Sequence, residues 1–213
     1  MDRTNDELLI EVAARQHGVV ARWQLTEAGV ASAWIDERVR RRRLRAAGRG
    51  VYQVPGLGDA RTGEAALVLS FGRRAVASHG SAARLQALLP AAAAVASAIS
   101  VAAGHPRPRA GVAVHRVRLP ADEVGVADGI PVTVPARTLL DLGSVVGPRE
   151  LEQALAAALR LELAQESDVL QLLRRYPRRP GTGALRALLS RGGGRGVHAL
   201  GGGGAVPPAG TAR

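Results

Sequence analysis

Residues 32–54 read SAWIDERVRRRRLRAAGRGVYQV. Ile35 and Val39 stand four positions apart and share one helical face, with Ser32 ahead of them as an N-cap hydroxyl. The opposite face offers Ala33, Glu37, Arg40 and Arg41 to solvent or to a groove. Arg38, Arg40, Arg41, Arg42, Arg43, Arg45 and Arg49 crowd the segment, while the acids Asp36 and Glu37 sit only at its start. Gly48-Arg49-Gly50 is a turn that permits positive φ, so Leu44 and the run Val51-Tyr52-Gln53-Val54 pair as short strands around it. A helix that delivers guanidinium groups beside a small β-wing is how a winged helix-turn-helix meets double-stranded DNA. Ala33, Glu37, Arg40 and Arg41 are the expected groove contacts, and Arg42, Arg43, Arg45 and Arg49 the expected phosphate contacts.

The flanking sequence fits this reading. Thr4 and Glu7 have capping-box spacing, and Leu8, Leu9, Val12 and Ala13 form an apolar stripe that ends at Gly18. Val19-Val20 is a short strand, and Arg22–Ala28 a second helix stopped by Gly29. Residues 1–55 therefore form the expected winged helix-turn-helix domain, with Trp34 and Tyr52 packing its core and wing. Arg38 either joins the DNA contacts or is equally a structural partner of Asp36 or Glu11.

Pro55-Gly56-Leu57-Gly58 marks a boundary. Beyond it Thr62 caps a helix through Phe71, Ala75-Val76-Ala77 is a strand, and Ser78-His79-Gly80-Ser81 opens a helix to Leu89. Strands over 97–102 and 111–118 flank the loop HPRPRA, and two more, at Val124 and Ile130–Thr133, flank the turn Asp128-Gly129. Helices follow over Ala136–Leu142, Pro148–Leu163, Ser167–Arg175 and Thr182–Leu189. The fold class is α/β (α+β): the winged helix, then a mixed domain over 61–190 ending in helices. Residues 191–213 are glycine-rich without periodicity and are expected to be disordered.

The 213 residues carry a net charge of +11, which suits a polyanionic partner. Every basic residue is arginine, a bias that GC-rich coding also produces. Residues 1–55 hold ten arginines against seven acids, so the case for DNA rests on clustering and not on bulk charge. The absence of cysteine removes disulfides, a thiol nucleophile and cysteine-held metals. The N-terminus is acidic and amphipathic, unlike a signal peptide, and no apolar run reaches the roughly 18 residues of a membrane span. The expectation is a cytoplasmic protein that contacts no membrane.

His17, His79, His105 and His115 are not at metal-ligand spacing, and no nucleophile elbow, phosphate loop or dinucleotide fingerprint occurs. Ser78-His79 beside Ser81 is read as a helix cap with a satisfied histidine, not a hydrolase site. The chain is thus expected to hold no catalytic residue, metal or cofactor. Arg107, Arg109, Arg116 and Arg118, with Arg174, Arg175, Arg178 and Arg179, form further basic patches. These either extend a DNA footprint, meet an acidic protein surface or are merely solvated.

The run ARQHGVVARWQLTEAGVASAWIDERVRRRRLRAAGRGVYQVPG resembles the N-terminal winged helix of the AbiEi-type antitoxins of type IV toxin–antitoxin systems. AVASHGSAARLQAL, ISVAAGHPRPRAGVAVHRVRL and GIPVTVPARTLLDL are similar to that family's middle domain, so the resemblance spans about residues 5–190. The combination is common in actinobacterial proteins and in phage defence. It implies a transcriptional regulator whose winged helix binds its own promoter, and whose remaining domain neutralises a nucleotidyltransferase-type toxin. A module that only sequesters a toxin is the second possibility.

Many actinobacterial relatives continue into an endonuclease similar to very-short-patch-repair nucleases, which needs metal-binding carboxylates and a lysine. This chain has no lysine, and its last acid is Asp168. GVHALGGGGAVPPAGTAR, back-translated and read one nucleotide later, yields a charged amphipathic helix under favourable synonymous codons. The expectation is a frameshift near Gly192–Gly196, which makes a nuclease remnant the third possibility. The nucleotide sequence tests it: early stops in the shifted frame dispose of the idea.

Overall fold

The computed structural model describes residues 4–90, 97–101 and 110–193. The loop HPRPRA except Ala110, the patch arginines Arg107 and Arg109, and positions 194–213 of the tail lie outside the described residues.

The chain begins with α1 (Asn5–Ala14), and its capping box is complete: Glu7 N donates to Thr4 Oγ1 while Thr4 N donates to Glu7 Oε2. β1 (Val19–Ala21), α2 (Arg22–Glu27), α3 (Ser32–Arg40), β2 (Arg45–Gly48) and β3 (Val51–Gln53) follow. The three strands form one antiparallel sheet in the order β1-β3-β2, with a bulge between Ala46 and Gly48. Leu9, Val20, Leu25, Val30, Ile35 and Leu44 make the core between the helices and this sheet. Gly18 permits the entry to β1: its φ is +78°, and a Cβ there would stand 2.5 Å from the Leu57 carbonyl carbon.

α4 (Thr62–Ser70) leads to β4 (Ala75–Ser78), α5 (His79–Leu85), β5 (Ser97–Val101) and β6 (Val112–Arg116). A 3-10 turn at Ala121–Glu123 then precedes β7 (Val124–Ala127) and β8 (Ile130–Thr133). The mixed sheet runs β6-β5-β4-β8-β7, with β5–β6 and β4–β8 parallel. Asp128 and Gly129 both have positive φ, as a tight hairpin between β7 and β8 demands. One sheet face carries Ala75, Ala77, Ile99, Val101 and Val132 in an apolar core shared with α4. That same core takes in Val19, Ala21 and Val51 of the first sheet, so α4 is sandwiched between the two sheets. The other face carries the polar residues Ser78, Ser100, His115 and Thr133 by register, with Val76, Ala98 and Ala113 beside them.

α6 (Pro135–Leu142), α7 (Pro148–Arg160), α8 (Glu166–Arg175) and α9 (Thr182–Gly193) close the chain around a leucine- and alanine-rich core. Proline opens α6 and α7, where its missing N–H costs nothing. The α+β class therefore holds.

Several boundaries differ from the sequence reading. α5 stops at Leu85 instead of Leu89, and α7 at Arg160 instead of Leu163. Ala87 (φ +55°) and Glu162 (φ +55°) turn left-handed there, and the reversed bonds Leu88 N to Ala83 O and Leu163 N to Ala158 O close each end. Ser32 and Thr62 are first helical residues, not N-caps. Thr62 Oγ1 instead donates to His17 O and accepts from Asp59 N, both at 2.8 Å. α9 continues to Gly193, inside the segment read as tail.

Candidate nucleic-acid interface

α3 presents the arginine cluster, and its placement is fixed from behind. Ile35 is fully buried, while Trp34 and Val39 are half-buried against the N-terminal core. Arg38 points back: it pairs with Asp6 of α1, not with Asp36 or Glu11, and its guanidinium lies 4.4 Å over the Trp34 ring. Asp36 pairs with Arg22, which donates to Tyr52 Oη from Nε (3.0 Å) and Nη2 (2.8 Å). Arg22 N also donates to Gly50 O at 2.7 Å, so α2 is tied to both α3 and the β2–β3 turn. Trp34 and Tyr52 thus pack α3 and the β2–β3 hairpin, as their sequence context predicted.

The remaining face is open. Ala33, Arg40, Arg41, Arg42, Arg43, Arg45 and Arg49 are all exposed, and Glu37 is half-buried. Glu37 ion-pairs with both Arg40 and Arg41. Among the described residues Arg42, Arg43, Arg45 and Arg49 make no ion pair. Arg42, which follows the helix cap Arg41, has φ +58°, and Arg43 N is bonded to Arg38 O at 2.8 Å. This turn swings Arg43 and Arg45 off the helix toward the hairpin that carries Arg49. The eight residues singled out from sequence therefore lie along one short helix–turn–hairpin segment, with Glu37 the only acid among them.

A second charged constellation went unread in the sequence. Arg137 on α6 is fully buried and pairs with Glu123, itself buried, and with Asp141 one turn on at 3.0 Å. Arg175 reaches Asp122 and Glu123, and Arg179 reaches Asp141. Two members of the distal basic patch are thereby internal counter-ions. Tyr176 Oη donates to Glu123. Burial raises the Asp141 pKa, with the neighbouring guanidiniums pulling the other way. His79 stacks on His115 with ring centroids 3.7 Å apart, and burial aided by His115, Arg137 and Arg179 pushes the His79 pKa down to about 3. Its Nδ1 meets Ser78 Oγ at 3.0 Å, and Ser81 Oγ accepts from Ala98 N. These contacts agree with a satisfied histidine, and burial leaves His79 a weak base. The signal available in sequence was the i, i+4 pair Arg137/Asp141 in PARTLLDL, but nothing there located its partner Glu123.

The sequence profile of the AbiEi antitoxin C-terminal domain matches residues 65–190, more than half of the chain. The chain belongs to the AbiEi antitoxin family, and an antitoxin-type function goes with it. In structure it is similar to the RV2827C protein of Mycobacterium tuberculosis, seen in a crystal structure, with a TM-score of 0.53 and 18% sequence identity. The alignment covers 91% of this chain and 78% of that one, a likeness of fold alone. No curated protein matches the sequence. Among the described residues no helix is long and apolar enough to cross a membrane.

Proposed function

We propose that the chain is a DNA-binding antitoxin that represses its own promoter. The order α1-β1-α2-α3-β2-β3 is that of a winged helix-turn-helix, with α3 entering a major groove and the β2–β3 hairpin as wing. The observation that carries the reading is the exposed arginine face from Arg40 to Arg49, backed by a helix whose other face is packed. In this reading Ala33, Glu37, Arg40 and Arg41 meet base edges, while Arg42, Arg43, Arg45 and Arg49 neutralise phosphates. The partner is double-stranded DNA of the chain's own operon, met in the cytoplasm. Gel shifts with the upstream promoter at two salt concentrations test it. Arg40→Ala combined with Arg41→Ala should abolish the preference for promoter over unrelated DNA. Unchanged affinity and salt slope would refute the assignment of α3.

A toxin-neutralising role for the residues after 61 stands beside this one. It is favoured by the exposed side chains of Leu159, Leu161 and Leu163, gathered where α7 ends. Co-expression with a nucleotidyltransferase encoded next door should restore growth. Leu161→Glu with Leu163→Glu should remove that rescue while leaving promoter binding intact.

A further inference from the structure

His17 stands where three stretches of chain meet. Its backbone is left-handed, with φ +58°, and its carbonyl accepts from Thr62 Oγ1 at 2.8 Å. Its ring is largely buried between two oxygens from distant segments. Nδ1 lies 2.8 Å from Asp59 Oδ2, 42 residues along the chain. Nε2 meets the main-chain carbonyl of Asp128, 111 residues along, at the tip of the β7–β8 hairpin. A Cβ on the next residue of that tip, Gly129, would stand 3.5 Å from Arg15 O, so the hairpin is seated against the end of α1.

Neither oxygen donates. An ionised carboxylate and a main-chain carbonyl only accept, whereas a neutral imidazole has one N–H and one lone pair. Both contacts are met at once only by the imidazolium, which donates from both nitrogens. The charged groups around the ring fit that form. Asp59 accepts from Arg61 N at 2.7 Å as well as from His17, and the Asp128 carboxylate is held by Arg61 Nε at 2.8 Å. Arg15 is turned to Glu11, and Arg73, across the adjoining cavity, pairs with Glu27. Two carboxylates and one guanidinium thus face the ring, and its own positive charge brings them level. Burial lowers the His17 pKa, but the bonds to Asp59 and the Asp128 carbonyl together raise it above the ordinary value.

We propose that His17 is a proton-operated clasp that fastens the β7–β8 hairpin to the N-terminal module. The charged ring donates to both segments. The neutral ring keeps a single N–H, which goes to the Asp59 carboxylate because a charged acceptor binds it more strongly. Nε2 then turns a lone pair on the Asp128 carbonyl, and two acceptors face each other. The hairpin tip comes free while Asp59 stays bound. β7 is an edge strand paired only with β8, so the tip moves without unpicking the mixed sheet. The clasp is closed in acid and opens as pH rises through the folded pKa of His17.

Nuclear magnetic resonance on the full chain, between about pH 5.5 and about pH 8, tests both halves of this. Long-range nitrogen–proton correlations of the imidazole rings, with His17 assigned by its loss in His17→Asn, read which nitrogens carry protons. His17 should hold both N–H groups beyond the ordinary histidine value of 6.5 and then lose the one on Nε2. In step with that loss, the backbone order parameters of Asp128 and Gly129 should fall from about 0.85 to below about 0.6, while that of Asp59 holds. His17→Asn, which accepts the left-handed backbone, should show no such fall between the two pH values. Asp59→Asn is the second variant should the first not fold: it should carry the ring's midpoint and the loosening of the hairpin to lower pH together. A ring that titrates at or below the ordinary value overturns the clasp. So does a hairpin equally ordered on both sides of the midpoint, the same loosening in His17→Asn, or a midpoint indifferent to Asp59→Asn.

Discussion

Glu37 ion-pairs with both Arg40 and Arg41, three and four residues further along the exposed side of α3. The carboxylate holds two guanidiniums in place and also sets a negative charge where phosphates would approach. Glu37→Gln should raise affinity for a scrambled duplex about fivefold, from removing roughly 1 kcal/mol of charge repulsion, and should narrow the preference for promoter DNA. Fluorescence anisotropy on the two duplexes at one salt concentration measures this. No gain on scrambled DNA would place Glu37 outside the interface.

Arg42, just past the end of α3, holds a left-handed conformation that disfavours a side chain. Arg42→Gly should therefore stabilise the fold by about 0.5–1 kcal/mol, read as a later urea midpoint at unchanged slope. If Arg42 touches a phosphate, the same variant should flatten the salt dependence by about one unit of log–log slope. Stability and DNA affinity would then move in opposite directions in one protein.

Arg137 answers Glu123 and Asp141 inside the protein. Arg137→Met keeps the bulk but takes the one fully buried cation from two buried carboxylates, leaving Glu123 to Arg175 and Tyr176 and Asp141 to Arg179, and should cost about 3 kcal/mol. Thermal unfolding followed by circular dichroism would register it. A loss under about 1 kcal/mol would mean that the carboxylates find water or take up protons.

His79 and His115 are kept neutral, chiefly by burial. The unfolded chain takes up protons near pH 6.5, whereas folded His79 waits until about pH 3. Its contribution is whole above pH 6.5 and drains away as pH falls, by up to about 1.4 kcal/mol per unit. His17 behaves oppositely: burial works against its charge, but the bonds to Asp59 and the Asp128 carbonyl win and raise its pKa. Its contribution is full below pH 6.5 and fades as pH rises through the folded value. His79→Asn, which tolerates the φ of +46° at this position, should flatten the acid limb between pH 4 and 6. Identical acid limbs in denaturant titrations of the two proteins would show that another group governs it.

The elements easiest to read were those whose signals are local. The Thr4/Glu7 box, the positive-φ pair Asp128-Gly129 and the prolines at 135 and 148 each act within a few residues. Two helix ends were overrun because Ala87 and Glu162 turn left-handed without the glycine that usually marks such a turn. What escaped entirely was set by distance along the chain. Arg38 meets Asp6, and Arg137 meets Glu123 beneath a polar sheet face, pairings decided by how elements stack. The arginine face was legible because clustering and a glycine-flanked turn sit within one stretch of sequence.

α4 packs against both sheets, and Val19, Ala21 and Val51 share its core with Ala77 and Ile99. The arginine helix is therefore not on a tether: its sheet and the mixed sheet are built onto one core, with α4 as the keel to both.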